Sequence, residues 1–165
     1  VQPFLQRVTA GTQEIAYVCV MDGDDIVYIA RNGTNRTMNT GYVLGARVPA
    51  QVTAAGMLLL SMREPEWLAR WLTTRELRAY TSHTIASKDR LRVELARIRQ
   101  QGWAISEQQL ELNHRGVAVP LMDRHSVLVG ALNVTMPMGN ESTDDAVARV
   151  LPVLQETARA MRNLI

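Results

Sequence analysis

Apolar residues recur at helical spacing in some stretches of this chain and run almost unbroken in others, and that contrast lays out its elements. Phe4, Leu5 and Val8 mark one side of a short helix over residues 3–12, which Gly11 should stop. Residues 15–21 and 26–30 are β-rich and are joined by Asp22-Gly23-Asp24-Asp25, the pattern of a hairpin. After a polar stretch over 32–41, Thr53-Ala54-Ala55-Gly56 leads into Met57-Leu58-Leu59-Leu60. That predicts a buried helix whose first turn carries only small side chains. Trp67, Leu68, Trp71 and Leu72 place a second helix over 64–74. Ser87 can cap a third, with Asp89 in its positive first turn, Leu91, Leu95 and Ile98 on its inner stripe, and Gly102 at its end.

Two further β runs, 115–122 and 127–136, flank the turn Asp123-Arg124-His125-Ser126. Pro120 argues for an edge strand or a bulge there. A last helix opens at Ser142 or Thr143, and Val147, Val150, Leu151, Leu154, Ala158, Met161 and Ile165 continue its stripe past a bend at Pro152. Antiparallel hairpins separated by helices define an α+β fold, an antiparallel sheet with helices packed on it. A doubly wound parallel sheet is excluded, because its strand–helix alternation is missing.

Composition narrows the function. With 165 residues, 47% hydrophobic, the chain fits one folded domain. Eighteen basic against 16 acidic residues leave +2, too small a surplus for a protein that coats nucleic acid. Cys19 stands alone, so an internal disulfide and a four-cysteine zinc site are excluded. No run is apolar enough to span a membrane and no secretory leader is visible, which makes the expected location cytoplasmic. The abrupt start at Val1 reads as a fragment of something longer. Asn-x-Ser/Thr triplets at Asn32, Asn35, Asn133 and Asn140 are most simply chance.

Catalytic and phosphate-binding signatures are absent, and no cofactor is expected. Asp22, Asp24 and Asp25 lack the glycine and closing glutamate of a calcium loop and read as a turn. His83, His114 and His125 fit no metal spacing, so no metal is expected. Cys19 reads as a buried structural thiol. Arg90, Arg92, Arg97 and Arg99, interrupted by Asp89 and Glu94, read as a solvated helix face. A binding pocket is the more informative possibility. Alternation puts Val127, Val129, Ala131, Asn133 and Thr135 on one face of a strand, apolar and ending in two hydrogen-bonding groups. Gly116, Ala118 and Pro120 share a face of its neighbour. The helix start at Thr53-Ala54-Ala55-Gly56 offers backbone N–H groups that suit a carboxylate, or else only tight packing.

Several blocks also resemble the IclR family of bacterial transcription regulators. They are Val27-Tyr28-Ile29-Ala30-Arg31 after the Asp-Gly turn, and Gly45-Ala46-Arg47-Val48-Pro49-Ala50 leading into Thr53-Ala54-Ala55-Gly56-Met57-Leu58-Leu59. The last are Arg115-Gly116-Val117-Ala118-Val119-Pro120 and Ala131-Leu132-Asn133-Val134. The resemblance covers about residues 3–165 in order. With Tyr80-Thr81-Ser82-His83-Thr84-Ile85 it is nearest to the PobR, PcaR and PcaU type, regulators of aromatic-acid breakdown through the β-ketoadipate pathway. It implies a GAF-like effector-binding domain over 13–165, with the end of a linker helix at 1–12. The family's winged helix-turn-helix, which contacts DNA, is absent from this chain.

The resemblance further implies homodimers or homotetramers and no enzymatic activity. Carried over by position, it puts the effector pocket on the Ala54 and Ala55 backbone, on Val48 at the wall, and on Ser106, Gly116, Asn133 and Thr135. Ser106 stands where some members have an acidic residue, with Glu107 beside it. Asn113-His114 replaces Gly-Leu and Gly116 replaces a serine, changes that leave room for a ring and offer His114 as a polar partner. The implied effector is a small organic acid, aromatic such as 4-hydroxybenzoate or protocatechuate, or a pathway acid such as β-ketoadipate. Two other classes stay open: a small enzyme with Glu107 or His114 as general base, and a dimerisation module without a ligand.

Overall fold

A computed structural model describes residues 1–33 and 41–165. The polar stretch over 32–41 and its Asn35 triplet fall largely outside the described residues. Ile15–Asp22 (β1) and Asp25–Asn32 (β2) pair antiparallel across a two-residue loop. Gly23 takes φ 62° as the first loop residue, where a II′ turn needs glycine. His114–Met122 (β5) and Leu128–Pro137 (β6) form the second hairpin, and β1 pairs with β6 to join the two. Short edge strands, Arg47–Pro49 (β3) and Ala104–Glu107 (β4), complete a six-stranded sheet in the order β3-β2-β1-β6-β5-β4. Every neighbouring pair is antiparallel. At three and four residues the edge strands are too short to carry a readable alternation, which is why the sequence does not announce them.

Pro120 does not mark an edge strand. β4 covers β5 from Arg115 to Ala118, and Pro120 lies beyond the last pair, where that side of β5 is open. Its missing N–H therefore breaks no ladder bond.

Strand alternation divides the interior between the two faces of the sheet. On one face lie Gln2–Thr12 (α1) and Thr143–Met161 (α5), packed with Val18, Val117, Val119, Leu132 and Val134 through Leu5, Val8, Val150 and Leu154. On the other lie Ala54–Ser61 (α2), Pro65–Thr74 (α3) and Lys88–Gln101 (α4), packed with Tyr17, Cys19 and Tyr28 through Leu58, Leu60, Leu72, Leu91 and Leu95. The starts of α2, α4 and α5 are capped by side chains: Gly56 N donates to Thr53 Oγ1 (3.0 Å), Arg90 N to Ser87 Oγ (3.3 Å) and Asp145 N to Ser142 Oγ (3.1 Å). Gly102 ends α4 in a left-handed conformation. α5 runs on past Pro152, and α1 past Gly11 to a left-handed Gln13.

Two bulges interrupt the sheet, and the second alters the expected face of β6. Between Val18/Cys19 on β1 and Ala30/Tyr28 on β2, Ile29 is left without an opposite residue; between Leu121/Met122 and Gly130/Leu128, Val129 is. Both extra side chains are exposed, at 51% and 43%. Val127, Val129, Ala131, Asn133 and Thr135 thus do not share one face. Val127 lies in the turn, Val129 is the bulge residue, and Leu128 packs toward the α2 core in their place. The shared face begins at Ala131.

Candidate functional site

Paired residues cross the α2 side of the sheet in rows. Ser106, Gly116, Thr135 and Ile15 form one row; Ala104, Ala118, Asn133 and Tyr17 form the next; Ala131, Cys19 and Tyr28 begin a third. Alanine and glycine keep the middle of this surface low. The start of α2 faces it across a gap, and an ideal Cβ on Gly116 would come within 3.4 Å of Ala54 Cβ. Beside that contact a cavity of about 190 Å³ remains. Asn133, Thr135, Gly116 and Ser106 form its floor, Val52, Thr53 and Ala54 its roof, and Gln108–Glu111 with His114 its rim. Tyr28 and Tyr42 close one side, their rings stacked at 4.9 Å between centroids and 7° between planes.

Of the seven positions singled out from sequence, Ala54, Ser106, Gly116, Asn133 and Thr135 line this cavity. Val48 and Ala55 do not. Both are buried in the α2 core, Val48 on the edge strand β3 and Ala55 on a side of the helix turned from the gap. The small first turn of α2 also divides. Ala54 meets the cavity, whereas Gly56 lies against the backbone of the 3-10 turn Ala50–Val52, where a Cβ would stand 2.0 Å from Ala50 O. Close packing and an open helix start coexist in four residues.

The polar lining is uneven in its commitments. Ser106 Oγ donates to Val52 O (3.3 Å), fastening β4 to the roof. Gln109 Oε1 accepts from Ile85 N (3.2 Å), and Gln109 is itself buried. Asn133 Oδ1 accepts from the Cys19 thiol (3.1 Å). Burial pushes that thiol well above its ordinary range, so Cys19 keeps its proton. Burial, with the Glu111 carboxylate close by, likewise pushes the Tyr42 phenol up to about 12, and burial raises Tyr28 further. Both tyrosines are donors at neutral pH. The helix-start N–H groups of Ala54 and Ala55 have no intrahelical acceptor, since Thr53 Oγ1 takes Gly56 N.

Glu107 is not in the cavity. Odd positions of β5 and β4 turn to the α5 side, where Glu107 binds the buried Arg115 guanidinium (2.6 Å) and accepts from Thr143 Oγ1 (2.7 Å). Arg115 also reaches Glu141 O (3.3 Å). Arg149 joins Glu141 (2.8 Å), Glu14 (3.2 Å) and the Thr12 carbonyl (2.7 Å), tying α5 to the end of α1. His114 does reach the rim, exposed, with Nδ1 3.0 Å from Leu112 O.

The charge clusters outside the cavity are internally paired. Asp22 and Asp25 hold Arg47, and Asp24 holds Arg75 and Trp71 Nε1. On α4, Arg92 pairs with Asp89 and Arg97 with Glu94, while Arg99 donates to Arg63 O. Among the described residues no three His, Cys, Asp or Glu side chains come together as a metal-holding group.

Sequence reasoning missed Tyr42, Gln108 and Gln109 as lining residues. Tyr28 was legible from its parity with Ile26 on β2; the loop residues follow no periodicity.

The family model of the bacterial transcriptional regulator IclR C-terminal domain matches residues 1–163. The chain belongs to this IclR C-terminal family. Among its relatives is the Pca operon regulatory protein of Acinetobacter baylyi, 36% identical over 99% of this chain and 60% of that protein. Another is the Pca regulon regulatory protein of Pseudomonas putida, 34% identical over 96% of this chain and 55% of that protein. The chain thus spans little more than half the length of these IclR-type regulators. Among solved structures, the inducer-binding domain of the Acinetobacter PobR transcription factor, a double mutant in complex with 3-hydroxybenzoic acid, superposes with a TM-score of 0.93. It is 29% identical, over 99% of this chain and 96% of that one. The expected α+β antiparallel architecture is therefore the architecture of IclR effector-binding domains. No described helix is long and apolar enough to cross a membrane.

Proposed function

We propose that the cavity between α2 and the sheet binds a small aromatic carboxylate, and that this domain senses that ligand for an IclR-type regulator. The observation that carries the reading is the cavity's lining. Five of the seven positions that the family resemblance marks, four of them also reached from strand alternation or the helix start, line one space, with a helix start on one side and Asn133 and Thr135 on the other. In this reading the carboxylate sits at the first turn of α2, where the Ala54 N–H and the helix dipole favour negative charge. Asn133 and Thr135 take a second polar group across the ring. Gly116 leaves room for the ring, and Tyr28 with Tyr42 flanks it. The aromatic acid in the PobR neighbour supports this ligand class.

Binding requires no chemistry of the protein, and regulation requires only that the ligand favour one of two states. α1 is the end of a linker helix in this scheme, and the lever is a change in cavity closure passed to it. The full-length regulator contacts DNA through a segment outside this chain and forms a homodimer or homotetramer partly through this domain.

Calorimetric titration with 3-hydroxybenzoate, 4-hydroxybenzoate, protocatechuate and β-ketoadipate tests the reading. Binding of at least one acid tighter than millimolar, weakened by Asn133→Ala, is expected. If no acid reaches that affinity and Asn133→Ala alters nothing, the cavity is not the effector site. Product formation in the same mixtures would instead make the domain an enzyme.

A further inference from the structure

A buried asparagine can present either of two opposite faces to a ligand. Its amide oxygen and amide nitrogen are nearly the same shape, but one only accepts hydrogen bonds and the other only donates. In the cavity floor, Asn133 is 3% exposed, and its amide is held from the next row of the same face by Cys19, which is fully buried on the adjacent strand β1. The contact is a single one, Cys19 Sγ donating to Asn133 Oδ1 at 3.1 Å. Held that way, the oxygen is turned along the α2 face of the sheet toward Cys19 in the next row, and the N–H₂ group of this cavity-lining residue has no hydrogen-bond partner among the described residues.

The other groups around the thiol reinforce the choice. The protein has one cysteine, so no disulfide competes for it. The thiol stays protonated through its burial, so it has a proton to donate, and that proton goes to Oδ1. Tyr17 stands beside Asn133 in the same row, but its hydroxyl is turned to Tyr42, accepting from Tyr42 N (2.9 Å), and makes no hydrogen bond to Asn133. Among the described residues Cys19 is the one group that donates to Oδ1.

We propose that Cys19 is a positioning residue that fixes the direction of the Asn133 amide, so that this end of the cavity prefers a ligand group that accepts over one that donates. The proposal rests on the cavity being the ligand site. It assigns selectivity to a residue outside the cavity lining, which acts through the direction of the Asn133 amide and not through contact.

Two measurements test it. The first is the infrared S–H stretching band, which in a protein with one cysteine belongs to Cys19 alone. In the wild-type chain the band is expected at the lowered frequency of a hydrogen-bonded thiol, and it should return to the free-thiol position in Asn133→Ala. A band already at the free position in the wild type overturns the proposal. The second compares 3-formylbenzoate, whose ring substituent only accepts, with 3-aminobenzoate, whose substituent chiefly donates. The wild type should favour the formyl compound by about tenfold or more, the scale of one buried hydrogen bond made or unmade. Cys19→Val keeps an apolar side chain of similar size but removes the donor, and should bring the ratio toward one, mainly by improving the amino compound. A ratio unchanged in Cys19→Val overturns the positioning role while leaving the cavity as a ligand site. Failure of both compounds and of the four acids to bind removes the cavity reading and this proposal with it. The infrared measurement needs no Cys19 variant, so a poorly folding Cys19→Val still leaves a decisive result.

Discussion

Gly116 shows how one missing side chain shapes the site. It lies in the row between Ser106 and Thr135, and the space above it belongs half to Ala54 and half to the cavity. A single methyl would touch Ala54 Cβ at ordinary contact distance, so Gly116→Ala should fold and bind nearly as the wild type does. Gly116→Val adds two further carbons that can only enter the gap. We expect it to weaken binding of 3-hydroxybenzoate more than about tenfold, or 1.4 kcal/mol, as read by calorimetry, with a far smaller effect on the urea midpoint. Equal loss of binding in both variants would mean that the ring does not lie over Gly116.

Among the elements, α2 is the least forgiving. All of its residues are buried, and it meets the 3-10 turn Ala50–Val52 so closely that Gly56 has no room for a side chain. Because both the oxygen and the Cα of Ala50 crowd that position, the turn or the helix must shift to admit even alanine. Gly56→Ala should cost about 3 kcal/mol or more in chemical denaturation, whereas a helix interior with free space would gain from the same change. The elements that were legible in sequence are those with a full signal. The Asp-Gly hairpin, the Ser87-to-Gly102 helix and the stripe of α5 each combine a start, a stop and a period. β3 and β4 have none of these, being defined by their pairing to long strands. The face of β6 was legible only from Ala131 onward, because the Val129 bulge resets the alternation. Gly116, Asn133 and Thr135 in the cavity's floor could be read from parity, but its rim at 108–111 could not, since Gln108 and Gln109 are placed by tertiary hydrogen bonds such as Thr84 Oγ1 to Gln109 O (2.6 Å). Val48 and Ala55 lie outside the cavity lining for a related reason: sequence position gives the helix or strand but not which of its sides meets the gap.

For the whole molecule, the ion-pair network and the buried hydroxyls and thiol set opposite ends of a stability window. Arg149 holds the Glu141 carboxyl below its ordinary 4.5, so the folded state binds that proton less readily than the unfolded chain does. The resulting stabilisation is complete above the ordinary value and is lost as pH falls through the folded one. At the other end, Cys19, Tyr28 and Tyr42 are raised above the ordinary 9.0 and 10.0, so their contribution is present below those values and is lost as pH rises beyond them. Thermal melts should therefore be flat near neutrality and fall on both sides. Arg149→Met should lower stability by about 1–2 kcal/mol at pH 7, a modest figure for a half-exposed side chain. It should also flatten the acid limb while leaving the alkaline limb as it was. An acid limb unchanged in that variant would place the responsible carboxylate elsewhere.

The strands beneath the cavity are occupied on both surfaces, and this limits how such a domain can change its diet. In Ala131-Leu132-Asn133-Val134-Thr135, alternate residues belong to the cavity side and to the α1/α5 core, on one shared backbone. A substitution that moved the floor to suit a different molecule would also disturb the packing behind it. The rim at 108–111 and Tyr42 carry no such double duty. Drift toward new ligands should accordingly be written first in those loops, with the sheet holding the older vocabulary of small and amide side chains.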